Sequence, residues 1–268
     1  MPFASNDGVR IHYEVDGSGP PVVLAHGFSR TLESWYENGY AQVLSKKYRL
    51  VLVDSRGFGK SDKPHKIEDY GPGIIAADYT AVMDRLRIEK AHFFGYSMGG
   101  RFAFQAMARY AKPRLLSLII GGATPYGTVT DEEREETELR IRGLELAVQQ
   151  GMEAYIESFY EKLYKLGDKE RKDILDNDPD ALLAIRLAYE RWPSAADLLP
   201  KLDIPVLVYC GEKDPRFPMA KECVTHMPKA VFVPFPRLDH PLAMHTKKVL
   251  PYAEKFLEGT KQAQAPGI

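Results

Sequence analysis

Residues 95 to 100 read Gly95-Tyr96-Ser97-Met98-Gly99-Gly100, between an apolar run, Ala91 to Phe94, and a helix-forming run, Arg101 to Tyr110. A serine set between a strand and a helix, with small residues two before and two after it, has the form of a nucleophile elbow. The sharp turn lifts Oγ off the end of the sheet, and the small neighbours let the chain pass without a Cβ clash. A serine hydroxyl is a weak nucleophile at neutral pH. Ser97 therefore requires a general base within hydrogen-bond reach and a carboxylate to orient that base.

Of the seven histidines, His240 has the placement of a base. It lies in the loop Arg237-Leu238-Asp239-His240-Pro241-Leu242, after the last strand-like run and before the terminal helix, where the chain order serine, acid, histidine puts it. Asp214, in Gly211-Glu212-Lys213-Asp214-Pro215, directly follows the run Ile204 to Cys210 and is the expected orienting acid. Asp239 is its rival. Being adjacent to His240, it has difficulty reaching Nδ1 while the ring points at Ser97. His12, His65, His92 and His226 read as structural or exposed. His240 and His245 do not have the spacing of a helical zinc pair and no third ligand stands nearby, so neither a metal nor a cofactor is expected.

Attack on a carbonyl also needs donors for the developing oxyanion. The Met98 N–H, at the start of the elbow helix, is one; the Phe28 N–H, in the loop His26-Gly27-Phe28 after the first parallel strand, is the other.

These groups must be carried by a scaffold, and the rest of the chain reads as one. Strand-like runs recur at Val9 to Glu14, Pro21 to Ala25, Arg49 to Val53, Ala91 to Tyr96, Leu115 to Gly121, Ile204 to Gly211 and Ala230 to Phe235. Several are apolar throughout, as strands covered on both faces are. Helix-length segments lie between them, at Ile75 to Arg87, Met98 to Tyr110, Met219 to Met227 and Lys247 to Glu258. The alternation predicts an α/β fold with a doubly wound, mostly parallel sheet. Asn6-Asp7-Gly8 predicts a hairpin at its N-terminal edge. From Tyr126 to Ala196 the alternation stops and composition turns helical, which predicts an inserted helical cap, divided at Gly143, Gly151, Gly167 and Pro179. The expected organisation is a core of residues 1–125 and 197–259, a cap of 126–196 and a frayed tail of 260–268. The acidic cluster Asp131, Glu132, Glu133, Glu135, Glu136 and Glu138 reads as a solvated first stretch of helix.

Bulk properties narrow the function further. The 268 residues suffice for one large domain, which buries roughly 75% of its unfolded surface. With a net charge of −1 there is no basic field to gather nucleic acid or an anionic membrane, so a small-molecule substrate is expected. The N-terminus shows no leader pattern and no segment has the apolar length of a membrane span, which predicts a cytoplasmic protein. Cys210 and Cys223, the two cysteines, read as buried thiols.

Taken together, His26-Gly27-Phe28, Asp54-Ser55-Arg56-Gly57-Phe58-Gly59-Lys60-Ser61, the elbow, Gly211-Glu212-Lys213-Asp214 and His240 resemble the α/β-hydrolase fold family over nearly the whole chain. The resemblance implies that Asp54, Arg56 and Ser61 belong to a structural loop and that a helical cap covers the site. It also implies a serine-nucleophile branch, since haloalkane dehalogenases and epoxide hydrolases carry an aspartate where Ser97 stands. Many relatives have Gly before the histidine and an acid five residues after it, where this chain has Asp239 and His245. The branch implies a carboxylesterase-like serine hydrolase acting on a small ester or lactone through an acyl-enzyme. Carbon–carbon bond hydrolysis, cofactor-free perhydrolysis and a slow-turnover receptor on the same triad are the alternatives. Trp35, Tyr96, Tyr126, Trp192, Phe217 and Leu242 are the expected substrate contacts, an apolar lining that favours acyl or aryl groups over charged ones.

Overall fold

Strands that are apolar at every position need cover on both faces, and the sheet of this protein has it. The structure, a computed structural model, describes residues 2–127, 130–163 and 166–262. Among the described residues there are eight strands: β1 (Phe3–Asn6), β2 (Val9–Asp16), β3 (Pro21–Ala25), β4 (Arg49–Val53), β5 (Ala91–Tyr96), β6 (Leu115–Gly121), β7 (Val206–Gly211) and β8 (Ala230–Phe235). Their order across the sheet is β1-β2-β4-β3-β5-β6-β7-β8, antiparallel from β1 to β4 and parallel from there on. Side chains alternate between two cores. Val23, Val51, Phe93, Leu118 and Val208 point into one, and Leu24, Leu52, Phe94, Ile119 and Tyr209 into the other. Both cores are built of buried apolar side chains, which is why the strands lack polar alternation.

The N-terminal hairpin forms as expected, with Asp7 and Gly8 both at positive φ (48° and 81°), the geometry a two-residue turn needs to match strand twist. Helices occupy the expected gaps with shifted ends: Pro72–Arg85, Phe217–Val224 and Leu250–Gln262. Proline sits in the first turn of the helices at 72 and 217, where its missing N–H costs nothing. Short helices at Glu33–Glu37 and Tyr40–Leu44, too brief to show a period, were not legible in the sequence. The last helix runs through residues 260–262, and the remainder of the expected tail, 263–268, lies outside the described residues.

Between β6 and β7 the chain leaves the sheet and is helical, as its composition predicts. Among the described residues the segment holds the helix Asp131–Gln150, a second that runs from Met152 to Leu163 through a wider turn at Ile156–Tyr160, and those at Asp168–Leu175 and Pro179–Glu190. Thr130 and Glu133 form a reciprocal capping box at the start of the first, and Gly151, at φ 93°, ends it. Gly143 does not break that helix. A Cβ there would stand 2.9 Å from Ser158 Oγ and 3.0 Å from Tyr155, so the glycine is a point of close helix packing.

Candidate active site

β5 ends at Tyr96 and the next residue, Ser97, has φ 53° and ψ −108°. A side chain at positive φ stores about 1–3 kcal/mol of strain, and the neighbouring packing holds it. Ser97 N–H donates to Gly121 O at 2.8 Å, and Gly99 N–H donates to His26 O at 3.1 Å. A Cβ on Gly95 would lie 2.0 Å from Gly99 O, and one on Gly99 would lie 2.0 Å from Ala25 O. Both contacts are with backbone, which cannot swing away. Gly99→Ala is therefore expected to cost about 1–3 kcal/mol or more of stability, read as a lower urea midpoint; an unchanged midpoint would show that the turn relaxes freely.

The loop after β7 brings Asp214 under the imidazole of His240. His240 Nδ1 is 2.5 Å from Asp214 Oδ2, and Nε2 is 2.8 Å from Ser97 Oγ. An ionised carboxylate only accepts, so Nδ1 carries the proton in neutral His240 and Nε2 is left to accept from the Ser97 hydroxyl. Asp214 is fully buried, with a side-chain exposure of 0%. Burial pushes its pKa up, but the opposing effects of His240 and Arg216 prevail and hold it well below the usual carboxylate range. Asp239 is occupied elsewhere: its Oδ1 accepts from Leu242 N at 2.9 Å and caps the helix His240–His245. Its neighbour's ring is braced from the other side. The Tyr96 hydroxyl donates to His240 O, and the two rings lie 5.4 Å apart. His245 hydrogen-bonds Asn38 Oδ1 at 2.7 Å, so the loop finds a partner where relatives have an acid.

Opposite the imidazole, His26 holds the loop after β3. Its Nε2 accepts from Ser55 N at 3.1 Å, which leaves Nδ1 to donate to Gly27 O at 2.8 Å. Burial pushes its pKa down and keeps the ring neutral. Phe28, next in the chain, and Met98 border the same cavity as Ser97 and His240. Asp54 accepts from the N–H groups of Leu32 and Lys60 and pairs with His12, while Arg56 makes a buried ion pair with Asp78 at 2.7 Å. These are scaffold contacts.

A family model described as alpha/beta hydrolase fold matches residues 20–144, the stretch that contains β3, the Asp54 loop and the elbow. The chain has the α/β-hydrolase fold. Over 262 residues, 91% of each chain, this chain is 29% identical to a protein named putative 2-succinyl-6-hydroxy-2,4-cyclohexadiene-1-carboxylate synthase from Bacillus subtilis (strain 168). Among solved structures it superposes on a thermophilic esterase from Thermogutta terrifontis with a TM-score of 0.81 and 25% identity, covering 97% of this chain and 98% of that one. An enol-lactonase from Burkholderia xenovorans LB400 gives a TM-score of 0.77 at 22% identity, covering 97% and 100%, a likeness of fold.

The cavity of this protein keeps the expected apolar lining only at its second opening, where Phe28, Tyr160, Leu163, Leu166, Pro241 and Met244 lie. Of the aromatic and apolar side chains named from the sequence, Tyr126 borders the cavity at Ser97, and Tyr96 and Leu242 border a second opening of it. Trp35 does not: it is fully buried on the opposite face of the sheet against Tyr40 and Phe94. Trp192 is also core, its Nε1 donating to Tyr70 O at 2.9 Å and its ring packed on Phe102 and Tyr189. Phe217 packs on Phe232 behind β8. Each has more apolar surface to bury in a core than at a wet cavity, and that decides its place.

Charged residues take their place. The cavity at Ser97 is lined by Arg101, Arg140, Arg186 and Arg216, together with Glu133 and Glu136. Two members of the acidic cluster thus face the site instead of solvent. Glu133, Glu136, Thr137 and Arg140 recur at spacings of three and four, one face of a helix, and Arg101 stands one turn after Ser97, with its N–H donating to Ser97 O at 2.9 Å. That spacing was the available signal. Arg101 donates to Gln105 Oε1 and Tyr189 O and lies over the Tyr189 ring, and among the described residues it has no ion pair with a carboxylate. Burial and the like charge of Arg186 push its pKa down to about 10. Arg186 pairs with Glu190 and Thr137, and its buried Nε has no hydrogen-bond partner among the described residues.

Glu136 works in the reverse sense. Burial raises it, but Arg140 and Arg216 hold it down to about 2 from an ordinary 4.5. With the folded value depressed, the unfolded chain binds more protons between those limits, so this contribution is present above pH 4.5 and is lost as pH falls to about 2. It amounts to no more than about 3 kcal/mol. Glu136→Gln is expected to flatten the fall of Tm across that window; an unaltered acid limb would refute the pairing. Among the described residues, candidate metal-ligand atoms gather at His65, Asp178 and Asp180, but Asp178 there already caps the helix Pro179–Glu190 and pairs with His65. No helix among the described residues is long and apolar enough to cross a membrane.

Proposed function

We propose that this protein is a serine hydrolase that cleaves small carboxylic esters or lactones through an acyl-enzyme. The observation that carries the reading is the continuous hydrogen-bonded chain Ser97–His240–Asp214, at 2.8 and 2.5 Å, beside a cavity open to substrate. Ser97 Oγ attacks the carbonyl carbon as its proton passes to His240 Nε2, and the ring stays oriented by Asp214. The N–H groups of Phe28 and Met98 receive the oxyanion. His240 then protonates the leaving alcohol, and the same nitrogen takes a proton from the water that releases the acid. Helices of residues 126–196 act as a cap, supplying Tyr126, Arg140 and Arg186 to the cavity.

The lining favours an ester that carries a carboxylate. Among the described residues Arg101 has no carboxylate partner and the buried Nε of Arg186 has no acceptor, so an anionic substrate group would satisfy donors left unmatched there. A hydrogen bond between charged groups is worth about 1.5–3 kcal/mol, or roughly 10- to 100-fold in kcat/KM. In Arg101→Met, the kcat/KM ratio of a carboxylated aryl ester to its neutral counterpart is expected to fall by about that factor. A ratio that stays at the wild-type value would remove the arginines from substrate selection. The reading as a whole is tested by covalent labelling with a fluorophosphonate, followed by mapping of the modified peptide. The label should sit on Ser97.

The same arginines support a second reading. The Bacillus subtilis relative carries in its name a compound with a succinyl group and a ring carboxylate, a doubly anionic ligand. On that reading His240 and Ser97 act as a proton-abstracting pair on a polyanionic substrate. A protein that is labelled at Ser97 yet cleaves no ester would favour it. Several relatives over part of the chain are named epoxide hydrolase, but the aspartate that such chemistry uses as nucleophile is replaced by Ser97.

A further inference from the structure

Arg216 stands where the loop after β7 meets the first turns of the helix Asp131–Gln150. Its backbone N–H and its Nη1 both point to Asp214 Oδ1, at 3.0 and 3.3 Å, the oxygen that His240 does not use. The far side of the same guanidinium faces two carboxylates of the inserted helix: Nε is 3.5 Å from Glu133 Oε1 and Nη2 is 4.0 Å from Glu136 Oε2. Both glutamates are themselves committed. Glu133 Oε2 accepts from Thr130 N in the capping box, and Glu136 Oε1 accepts from Arg140 at 2.8 Å.

We propose that Arg216 is a positioning residue that fixes the second oxygen of Asp214 and couples the orientation of His240 to the seating of the inserted helix. This rests on the reading of Asp214 as the orienting acid. The backbone N–H of residue 216 holds Oδ1 whatever the side chain, so the guanidinium adds a second donor and a positive charge beside that oxygen and restrains the carboxylate from turning about its Cβ–Cγ bond. Three carboxylates from two elements converge here, those of Asp214, Glu133 and Glu136, and Arg216 is the cation between them. The remaining charged and titratable groups around it are Arg140 on the same helix, Arg101 and Arg186 across the cavity, Tyr96 on β5, Cys210 on β7 and His240 itself. Without Arg216 the carboxylates repel, the helix start lifts, and the imidazolium formed in the reaction sits in an unscreened negative field. That field favours the charged ring.

The test compares Arg216→Met, Arg216→Lys and the pair Glu133→Gln/Glu136→Gln, each checked for folding by near-UV circular dichroism. Two rates are followed against pH: hydrolysis of p-nitrophenyl butyrate and labelling by a fluorophosphonate. Arg216→Met is expected to lower kcat about tenfold or more with a smaller change in KM, and to move the acid limb up by about one pH unit. Arg216→Lys should return the limb toward its wild-type position without restoring kcat, because an ammonium lacks the two-pronged fork. The glutamine pair should move the limb down. If Arg216→Met folds and keeps the wild-type limb, or if Lys and Met shift it equally, the proposal fails. Should the Met variant not fold, an unmoved limb in the glutamine pair has the same force. A wild type that neither hydrolyses nor labels would instead overturn the serine-hydrolase reading. The NMR titration of His240 in the wild type and the Lys and Met variants then decides the role of Arg216 by itself: a higher midpoint in Met alone supports it, and equal midpoints refute it.

Discussion

Ser97→Ala is expected to lose at least about 10⁴-fold in kcat on p-nitrophenyl esters while keeping the fold. The hydroxyl is the only atom group removed. Its strained backbone is held by the Gly121 and His26 carbonyls and by the packing of Gly95 and Gly99, none of which involve Oγ. What remains is any stabilisation of an oxyanion by the Phe28 and Met98 N–H groups, which gives water a modest advantage and no acyl-enzyme. Burst kinetics and intact-mass detection of a labelled protein should both disappear. A variant that still releases p-nitrophenol at more than about a hundredth of the wild-type rate would place the nucleophile elsewhere.

The second large effect is expected at Asp214→Asn, about 10⁴-fold in kcat near neutral pH. The two side chains have nearly the same shape, so the cause is chemical. An amide can present N–H to His240 Nδ1, which then accepts, and the ring's proton moves to Nε2, facing Ser97. A ring in that tautomer cannot take the serine proton. The negative charge that steadies the imidazolium is lost as well, and among the described residues Arg216 keeps Glu133 and Glu136 as anionic neighbours. Activity should recover in part at high pH, where hydroxide can assist removal of the serine proton. A loss below tenfold with the fold intact would mean that His240 is oriented by its loop alone, through Tyr96 and the Asp239 cap.

The residues that the structure joins in one hydrogen-bonded chain, Ser97, His240 and Asp214, were legible because local sequence constrains them strongly. The turn at Ser97 admits no side chain at Gly95 or Gly99, so its signature is short, contiguous and tied to the strand before it. The same holds for the loops that carry Asp214 and His240, each set at the end of a parallel strand or directly after the last one. The sheet was legible for a related reason: a strand buried on both faces must be apolar at consecutive positions, and few other elements are. The helical stretch between β6 and β7 showed in composition, although Gly143 was misread as a break. Its missing Cβ serves two neighbours, Tyr155 and Ser158, twelve and fifteen positions away in the chain, and no local rule registers those contacts.

The cavity was the part that sequence order did not disclose. Trp35, Trp192 and Phe217 carry the same apolar side chains whether they meet a substrate or a core, and only packing decides between the two; here the core claims Trp35 and Trp192, and Phe217 lies half-buried against Phe232. Arg101, Arg140, Arg186 and Arg216 come from four separate segments, each unremarked as a charged residue in its own stretch of chain. Their meaning lies in their convergence. By itself the sequence determined a sheet, an elbow and the order serine, acid, histidine, because those are set by backbone geometry that particular residues alone permit. The tertiary structure decided which charges surround Ser97, because electrostatic environment is a sum over residues distant in the chain and has no local signature.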